Sequence, residues 1–374
     1  MLEATVKKIL QARVYEAACE TPISPAPFLS RRFNNQILIK REDLQPVFSF
    51  KIRGAYNKMA QLTEGQKAKG VIAASAGNHA QGLAMAAKLM GVKAVIVMPR
   101  ITPDIKVQAV RARGAKVVLK GDAFAAAAEH AQELIKEHGY TYIPPFDDID
   151  VVAGQGTIGV EILRQHSGRL DAIFIPVGGG GLIAGVAAYV KYLRPDIKII
   201  GVEAEDSACL KAALEAGERV VLDQVGVFAE GVAVAQIGEV PFSLVRDLVD
   251  DVITVNTDEM CAAVKDIFED TRAVAETSGA LSLAGLKKYV QQTGAEGETL
   301  LCINSGANTN FDRLQHIAER TELGEQREAI LAVTIAEKPG SFKKFCRTLG
   351  KRMVTEFSYR YADDSEAHIF VGVQ

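Results

Sequence analysis

Residues 171–182 have the sequence DAIFIPVGGGGL, in which an apolar run leads directly into four consecutive glycines. The run at 172–177 predicts a buried β-strand, and the residues at 182–193 predict a helix. Glycines between a strand and a helix let backbone N–H groups approach a phosphate closely, and the positive end of the helix favours the same ligand. The segment therefore predicts a strand–turn–helix unit that either binds phosphate or forms a tight turn without a ligand.

The same alternation of elements extends over most of the chain. After a predicted helix at 1–20 and a proline-rich break at 21–27, short β-rich runs alternate with alanine-rich helical stretches up to about residue 310. Further strands are predicted at 37–40, 70–74, 94–98, 116–119, 197–203, 251–255 and 300–304. This alternation predicts an α/β fold whose parallel sheets are covered by helices on both faces. Ligands bind at the carboxyl ends of such strands, so the loops that start at Ser75 and Ser305 are expected to share a cleft with the glycine turn.

The composition excludes several functional classes. With 374 residues, 48% of them hydrophobic and 24% charged, the chain is expected to form two or three globular domains. A net charge of −3 argues against a nucleic-acid or membrane binder, and no apolar run approaches the roughly 20 residues of a membrane span. Dispersed cysteines and histidines, together with an N-terminus unlike a signal peptide, predict a cytoplasmic protein without a zinc cluster.

The most informative single residue is Lys51, which lies between Phe50 and Ile52. A protonated lysine amine is a poor nucleophile, but burial and a nearby cation or phosphate lower its pKa, so that it forms an imine with an aldehyde. Most lysines are exposed surface residues, so this interpretation depends on the presence of the glycine turn elsewhere in the chain.

Two further strand ends supply polar groups. Residues 75–79, SAGNH, precede a predicted helix, which Ser75 is expected to cap. The free N–H groups there suit a carboxylate, and an ordinary N-cap beside a surface histidine is the alternative. Residues 304–308, NSGAN, follow a predicted strand, and Ser305 either hydrogen-bonds a heterocycle nitrogen or belongs to a plain turn.

A nucleotide-binding function is an alternative for the glycine turn. Gly179, Gly181 and Ala184 satisfy the pattern Gly-x-Gly-x-x-Ala, and Glu203 follows at the end of the next strand, as in a dinucleotide site. An NAD-dependent Rossmann oxidoreductase is therefore a remote alternative, but it leaves Lys51 unexplained.

Several long segments resemble the pyridoxal-phosphate enzymes of the tryptophan-synthase-β fold group, and within that group the threonine dehydratase family. The segments are at 40–46, 49–55, 74–81, 154–159, 176–182, 228–233 and 305–308. The resemblance implies pyridoxal 5′-phosphate as the cofactor. It also implies a catalytic domain at 1–320, made of two open, mostly parallel α/β sheet subdomains with the cofactor cleft between them. The smaller subdomain, at about 46–145, is inserted in the larger one.

The family pattern implies roles for individual residues. Lys51 is the implied catalytic residue, which holds the cofactor and removes the substrate α-proton. The implied cofactor-binding residues are Lys51, Asn78, Gly178, Gly179, Gly180, Gly181, Leu182 and Ser305. The substrate carboxylate is assigned to Ser75, Ala76, Gly77, Asn78 and His79. In this pattern Asn78 faces the phenolic oxygen of the cofactor ring, and Ser305 faces its pyridine nitrogen.

The implied reaction is the deamination of L-threonine to 2-oxobutanoate and ammonia by elimination of water, as the first step of isoleucine biosynthesis, with L-serine to pyruvate as a further activity. A catabolic threonine or serine dehydratase and a serine racemase-like enzyme are the alternatives. Racemisation is expected to be weak, because Ala76 stands where racemases usually have a second serine. No metal is expected, because Cys209 occupies the position of a carboxylate ligand near Glu203.

Residues 328–374 resemble the first ACT-like regulatory subdomain of the same family. A complete ACT domain has the order βαββαβ, whereas these residues predict βαββ, a partial α+β segment. Isoleucine and valine are therefore expected as effectors only if the regulatory half is complete. A homo-oligomer, either a tetramer or a dimer, is also expected. A non-catalytic amino-acid-binding protein is a third interpretation, which the intact Lys51 disfavours.

Overall fold

The computed structural model describes residues 1–324, 329–361 and 365–373. The described chain forms a six-stranded sheet, a four-stranded sheet and a three-stranded sheet. The strands are β1 (Ile23–Pro25), β2 (Gln36–Arg41), β3 (Val71–Ala74), β4 (Ala94–Met98), β5 (Lys116–Leu119), β6 (Thr141–Tyr142), β7 (Ala172–Pro176), β8 (Lys198–Ala204), β9 (Asp251–Val255), β10 (Thr299–Asn304), β11 (Ala329–Ala336), β12 (Val354–Tyr361) and β13 (Glu366–Val373).

Helices connect almost every pair of consecutive strands. They are α1 (Leu2–Leu10), α2 (Pro27–Phe33), α3 (Lys51–Ala60), α4 (Glu64–Lys69), α5 (Asn78–Met90), α6 (Asp104–Arg111), α7 (Phe124–His138), α8 (Ile149–Gln165), α9 (Gly181–Leu193), α10 (Cys209–Ala216), α11 (Glu239–Val245), α12 (Thr257–Thr271), α13 (Thr277–Thr293), α14 (Arg313–Gly324) and α15 (Ser341–Leu349). Among the described residues, no helix combines the length and the apolarity that crossing a bilayer requires.

The six-stranded sheet has the order β1-β2-β10-β7-β8-β9, with β1 antiparallel to β2 and the other neighbouring pairs parallel. Successive side chains of β7 point to opposite faces of this sheet. Phe174 belongs to the core that contains residues of α12 and α13, whereas Ile173 and Ile175 belong to the core that contains residues of α8 and α9. Because both faces are buried, the strand is continuously apolar.

The four-stranded sheet has the order β5-β4-β3-β6, and all of its pairs are parallel. Its strands lie between residues 71 and 142, so the chain leaves the larger sheet after β2, builds the smaller sheet and returns at β7. Both parallel sheets are packed against helices. The predicted α/β class with open, mostly parallel sheets is therefore confirmed.

The N-terminal segment differs from its prediction in two places. Helix α1 ends at Leu10 and does not extend to residue 20, because the two ends of this segment belong to different cores. Ile9 packs in a cluster with residues of α8 and α9, whereas Val14 packs with residues of α3. The proline-rich break also contains the short strand β1, where Pro25 is tolerated because β1 lies at the edge of the sheet.

The C-terminal segment forms an antiparallel sheet in the order β11-β13-β12, with α15 packed on one face. Phe345 and Leu349 of α15 contact the cluster that contains Ile369 and Val371. Helix α14 precedes this sheet and packs against α12. The predicted order βαββ is present, as β11, α15, β12 and β13.

Candidate active site

The loops that follow β3, β7 and β10 meet in one cleft. About 420 Å³ of space in and at the mouth of the cleft is not filled by protein atoms, and this figure includes open solvent. Its lining residues are Phe50, Lys51, Asn78, Phe146, Pro176, Gly178, Gly179, Gly180, Gly181, Leu182, Gly231, Val232, Glu276, Ser278 and Ser305. All eight residues predicted to bind the cofactor are in this set. Of the residues assigned to the substrate carboxylate, Asn78 lines the cleft, and the other four belong to the same loop or to the start of α5.

Lys51 is the first residue of α3, and its side chain lies in the cleft. Its Nζ donates a hydrogen bond to the carbonyl oxygen of Pro145 at 3.0 Å and lies 5.1 Å from the centre of the Phe50 ring. Burial lowers the pKa of Lys51 to about 8, although the negative charge of Glu276 acts in the opposite direction. Roughly half of such amines are neutral at pH 8, so Lys51 has the proton affinity that attack on an aldehyde requires.

A buried ion cluster holds the helix that carries Lys51. The cluster consists of Lys40, Glu42, Arg53 and Glu161, whose side chains are 0% exposed. Arg53 donates to Glu42 at 2.8 Å and to Glu161 at 2.6 Å, and Lys40 donates to Glu161 at 2.7 Å. These bonds join α3 to α8 and to the residue that follows β2, and they join β2 to α8. Because Arg53 is two residues after Lys51, the cluster restrains the backbone from which Lys51 projects.

The glycine turn is shaped by close packing against neighbouring loops. A Cβ atom on Gly179 would lie 2.2 Å from the Phe146 ring, and one on Gly178 would lie 2.9 Å from the Cα atom of Val232. Gly180 has a φ of 86°, a left-handed conformation that favours glycine. Helix α9 begins directly after it, so the N–H groups of its first turn have no intrahelical partners and are available to an anion.

The loop at 75–79 differs from its prediction in one respect. The expected cap by Ser75 is wrong, because Gly77 is the N-cap residue of α5. The Ser75 hydroxyl instead accepts a hydrogen bond from the N–H of Gly77 at 3.3 Å, and the Ser75 N–H donates to the carbonyl of Val97 at 3.1 Å. Serine closes a local turn in this way when it lies too far before a helix to cap it. The first-turn N–H groups of α5 therefore remain available to a carboxylate.

His79 is buried, with 4% of its surface exposed, so the surface-histidine alternative is wrong. Its Nε2 lies 2.8 Å from the carbonyl oxygen of Ile143 and carries the proton, because a carbonyl accepts. Burial lowers the pKa of His79 to about 4, and the positive charge of Lys51 also lowers it. The imidazole is therefore neutral near pH 7, and the backbone N–H is the part of His79 suited to binding a carboxylate.

Ser305 lies directly after β10 and is 4% exposed. Its hydroxyl donates to the carbonyl oxygen of Ser278 at a long distance of 3.4 Å, so the hydroxyl is weakly held. The carbonyl oxygen of Ser305 accepts a hydrogen bond from the N–H of Phe50 at 3.2 Å. This hydrogen bond attaches the segment that carries Lys51 to the end of β10, which is far from Lys51 along the chain.

Glu276 is a cleft residue that the sequence did not reveal. It is the N-cap residue of α13, and its Oε1 accepts a hydrogen bond from Nδ2 of Asn78 at 2.7 Å. Burial raises the pKa of Glu276. An acidic residue at a helix N-terminus is ordinarily explained by the helix dipole, so no local pattern sets this one apart. The contact with Asn78 spans 198 positions and becomes visible only in the folded chain.

Glu203 does not have the role that the nucleotide-binding alternative gives it. Its carboxylate accepts hydrogen bonds from the N–H groups of Leu210 at 2.7 Å and Lys211 at 2.9 Å, at the start of α10. Burial raises its pKa to about 7. Nearby, the thiol of Cys209 donates to the carbonyl of Gly178 at 3.4 Å. In the described ranges, no group of three or more His, Cys, Asp or Glu residues is arranged to hold a metal ion.

Family comparisons agree with this geometry. The profile described as "Pyridoxal-phosphate dependent enzyme" matches residues 14–306, and the profile of the "C-terminal regulatory domain of Threonine dehydratase" matches residues 319–374. The fold, the cleft and the first match together define the class, a pyridoxal-phosphate-dependent enzyme.

Individual relatives narrow this class. The biosynthetic L-threonine dehydratase of Burkholderia multivorans is 58% identical over 372 residues, which are 99% of this chain and 73% of the relative. The corresponding enzyme of Salmonella typhimurium is 60% identical over 369 residues, which are 99% of this chain and 72% of the relative. The chain belongs to the biosynthetic threonine dehydratase family. The alternative interpretation as an NAD-dependent Rossmann oxidoreductase is therefore wrong.

Solved structures show the same relationship. The processed form of threonine deaminase isoform 2 from Solanum lycopersicum has a TM-score of 0.84 at 48% identity, over 85% of this chain and 93% of that one. The serine racemase of Dictyostelium discoideum has a TM-score of 0.75 at 32% identity, over 82% of this chain and 99% of that one.

Proposed function

We propose that this protein deaminates L-threonine to 2-oxobutanoate and ammonia with pyridoxal phosphate as its cofactor, and that it also converts L-serine to pyruvate. The observation that carries the proposal is the position of Lys51, whose pKa is lowered to about 8, in one cleft with the glycine turn, Asn78 and Ser305. The biosynthetic threonine dehydratases that are about 58–60% identical to the chain support this choice of substrate.

The residues of the cleft fit the cofactor. Phosphate is placed at the N–H groups of Gly178, Gly179, Gly180, Gly181 and Leu182, where packing against Phe146 and Val232 leaves no space for a Cβ atom at the first two positions. The Lys51 amine is placed at the cofactor aldehyde, the free N–H of Asn78 at the ring oxygen, and the Ser305 hydroxyl at the ring nitrogen. When bound, the cofactor withdraws electrons from the substrate Cα and so makes its proton acidic.

The substrate carboxylate is placed at the start of α5. The groups proposed to bind it are the Ser75 hydroxyl and the N–H groups of Ala76, Gly77, Asn78 and His79, and the helix dipole favours a negative charge there. Within this set the N–H groups of Asn78 and His79 are the strongest candidates, since both belong to the first turn of α5.

Lys51 is the proposed base. A group with a pKa of about 8 accepts a proton efficiently near neutral pH, because its neutral form is populated and it still binds the proton firmly. Removal of the α-proton and departure of the β-hydroxyl release water and an enamine. Reaction of the enamine with water then gives 2-oxobutanoate and ammonia.

Ala76 argues against racemisation as the main activity. A racemase needs a proton donor on the face of the substrate opposite to Lys51, and the methyl group of Ala76 cannot donate a proton. Racemisation is therefore expected to be much slower than elimination, despite the structural similarity to a serine racemase.

The proposed setting is a cytoplasmic homo-oligomer, either a tetramer or a dimer. The catalytic part is placed at 1–320, with a smaller subdomain at about 46–145, and the ACT-like part at 328–374. Isoleucine and valine are proposed as effectors only where the regulatory half is complete. The match to a threonine dehydratase regulatory domain at 319–374 supports a regulatory role for the C-terminal segment.

The test compares the wild type with Lys51→Ala. The wild type is expected to show a visible absorption band of bound pyridoxal phosphate and to form 2-oxobutanoate from L-threonine, with and without isoleucine. Lys51→Ala is expected to lose both the band and the turnover. Lys58→Ala is the matched control, since Lys58 is on the same helix and pairs with Asp148 at 2.7 Å outside the cleft lining. A colourless wild type, or full turnover in Lys51→Ala, would contradict the proposal.

A further inference from the structure

Glu276 has no part in the roles proposed above, yet it lines the cleft. Its Oε1 is 2.7 Å from Nδ2 of Asn78, which donates to it. We propose that Glu276 is a positioning residue of the cofactor site, which orients the Asn78 amide so that its second N–H points to the ring oxygen of the cofactor. This inference rests on the proposed function, because it gives that function a residue that acts through Asn78.

The Asn78 amide is held from both ends. Its Oδ1 accepts a hydrogen bond from Nδ2 of Asn308 at 2.6 Å, and the same Nδ2 also donates to the carbonyl of Val47 at 2.8 Å. The Oδ1 of Asn308 in turn accepts from Gln81 at 3.4 Å. A reversed Asn78 amide would place N–H against N–H at Asn308 and oxygen against carboxylate at Glu276. The amide therefore has one orientation, in which Nδ2 has one hydrogen left to donate.

The surrounding backbone leaves room for the carboxylate. A Cβ atom on Gly306 would lie 2.5 Å from Oε1 of Glu276, so glycine at this position is what allows the carboxylate to reach Asn78. The N–H of Glu276 also donates to the carbonyl of Gly306 at 3.1 Å. Glu276 thus connects the loop of Ser305, in the larger sheet, with the start of α5, beside the smaller sheet.

The chemistry of the contact favours a firm hold. A hydrogen bond to a carboxylate is stronger than one between neutral groups, and it is stronger still when the pair is shielded from water. Burial raises the pKa of Glu276, whereas the hydrogen bond from Asn78 and the positive charge of Lys106 lower it. The Asn78 amide carries no charge, so only the charge of Glu276 depends on its surroundings. The hydrogen bond from Asn78 favours the ionised form of the Glu276 carboxylate.

The test is a titration of each apoenzyme with pyridoxal phosphate, followed by visible absorption. Glu276→Ala is expected to raise the dissociation constant by about 10-fold to 100-fold, because Asn78 loses the partner that fixes it. Glu276→Gln is expected to raise it only a few-fold, since its amide oxygen still accepts. Should Glu276→Ala fail to fold, Glu276→Met keeps the volume, removes the acceptor and carries the same expectation.

The decisive measurement is a double-mutant cycle with Asn78→Ala. If Glu276 acts through Asn78, the double variant binds the cofactor no more weakly than Asn78→Ala alone, and its absorption maximum is that of Asn78→Ala. Additive losses in the double variant would overturn the inference, as would unchanged binding in Glu276→Ala.

A matched control separates positioning from stability. Glu259 helps to cap the start of α12 by accepting the N–H of Asn256 at 2.7 Å, so Glu259→Ala, which removes this acceptor, is expected to lower the melting temperature without changing cofactor affinity. Equal losses of cofactor affinity in Glu259→Ala and Glu276→Ala would assign Glu276 a structural role. A wild type that binds no cofactor would instead contradict the proposed function, so the two failures are distinguishable.

Discussion

The ion cluster and the cleft treat buried charge in opposite ways, although helix α3 contributes to both. In the cluster, Arg53 and Lys40 meet two carboxylates at 2.6–2.8 Å, so every charge is neutralised by a partner. In the cleft, the Lys51 amine has a neutral carbonyl as its hydrogen-bond partner, and burial lowers its pKa to about 8. Complete pairing produces a rigid support, whereas incomplete pairing leaves an amine that can lose its proton near pH 8.

The positions of the two groups on the helix explain how one element serves both regions. Lys51 and Arg53 are two positions apart, so the helix directs them to different faces. The ion cluster then supports the helix from which Lys51 projects. Substitutions in the cleft are expected to reduce activity, and substitutions in the ion cluster are expected to reduce stability.

The largest effect is expected for Lys51→Arg. The guanidinium keeps the positive charge but cannot become neutral near pH 7, so it can neither attack the cofactor nor act as a base. Threonine turnover is expected to fall by at least about 10³-fold, while the free energy of unfolding changes little. Steady-state kinetics and urea denaturation measure the two quantities. Lys58→Arg on the same helix is the control and should retain turnover. Wild-type activity in Lys51→Arg would contradict the view that the cleft carries the chemistry and the ion cluster the stability.

The next effect concerns the cluster. Glu161→Gln removes the carboxylate shared by Lys40 and Arg53, and it is expected to lower the free energy of unfolding by about 3–5 kcal/mol, because it leaves buried charge unpaired. The control is Glu20→Gln, which breaks an exposed pair with Arg164 and should cost less than about 1 kcal/mol. Equal losses of unfolding free energy in the two variants, measured by urea denaturation, would show that burial of the ion cluster does not affect its contribution to stability.

Acid is expected to lower the free energy of unfolding through His79, which lies at the start of α5 close to the cleft. Its pKa is about 4 in the folded protein and has the ordinary value of 6.5 in the unfolded chain, so the unfolded chain takes up the proton first as the pH falls. This contribution is fully present above about pH 6.5 and is lost down to about pH 4, amounting to about 3 kcal/mol. Urea denaturation at several pH values measures it. In His79→Gln this part of the pH dependence should disappear, and its persistence would assign it to other groups.

The smallest effect is expected at the glycine turn. The added methyl group of Gly179→Ala meets the Phe146 ring, which must move, at a cost of about 1–3 kcal/mol in cofactor affinity or stability. Titration with pyridoxal phosphate and thermal denaturation measure both. Gly65→Ala on α4, where a Cβ atom meets open space, should leave affinity unchanged, and similar results for the two variants would argue against a tightly packed turn.

Much of this arrangement could be predicted from local patterns. The predicted strands at 94–98, 116–119 and 251–255 have the same bounds in the structure, because apolar runs between turn residues report burial directly. The residues predicted to bind the cofactor lie in one cleft, because each begins a helix or follows the carboxyl end of a strand in one of the two main sheets.

The failures have a common cause. The N-terminal helix ends before Val14, which packs in a different core from the helix. His79 is buried, and the Ser75 hydroxyl forms a hydrogen bond within its own loop. Each depends on which distant residues pack nearby, and sequence periodicity carries no information about those neighbours. Glu276 was missed for the same reason, since its partner Asn78 is 198 positions away.

By itself the sequence determined the order of strands and helices and the glycine turn, because these depend on neighbours within a few positions, and its motifs predicted which residues carry the chemistry. The tertiary structure alone decided the proton affinity of Lys51 and the orientation of Asn78. Burial by remote segments, opposed by the charge of Glu276, sets the proton affinity of Lys51, and the hydrogen bonds of Glu276 and Asn308 set the orientation of Asn78.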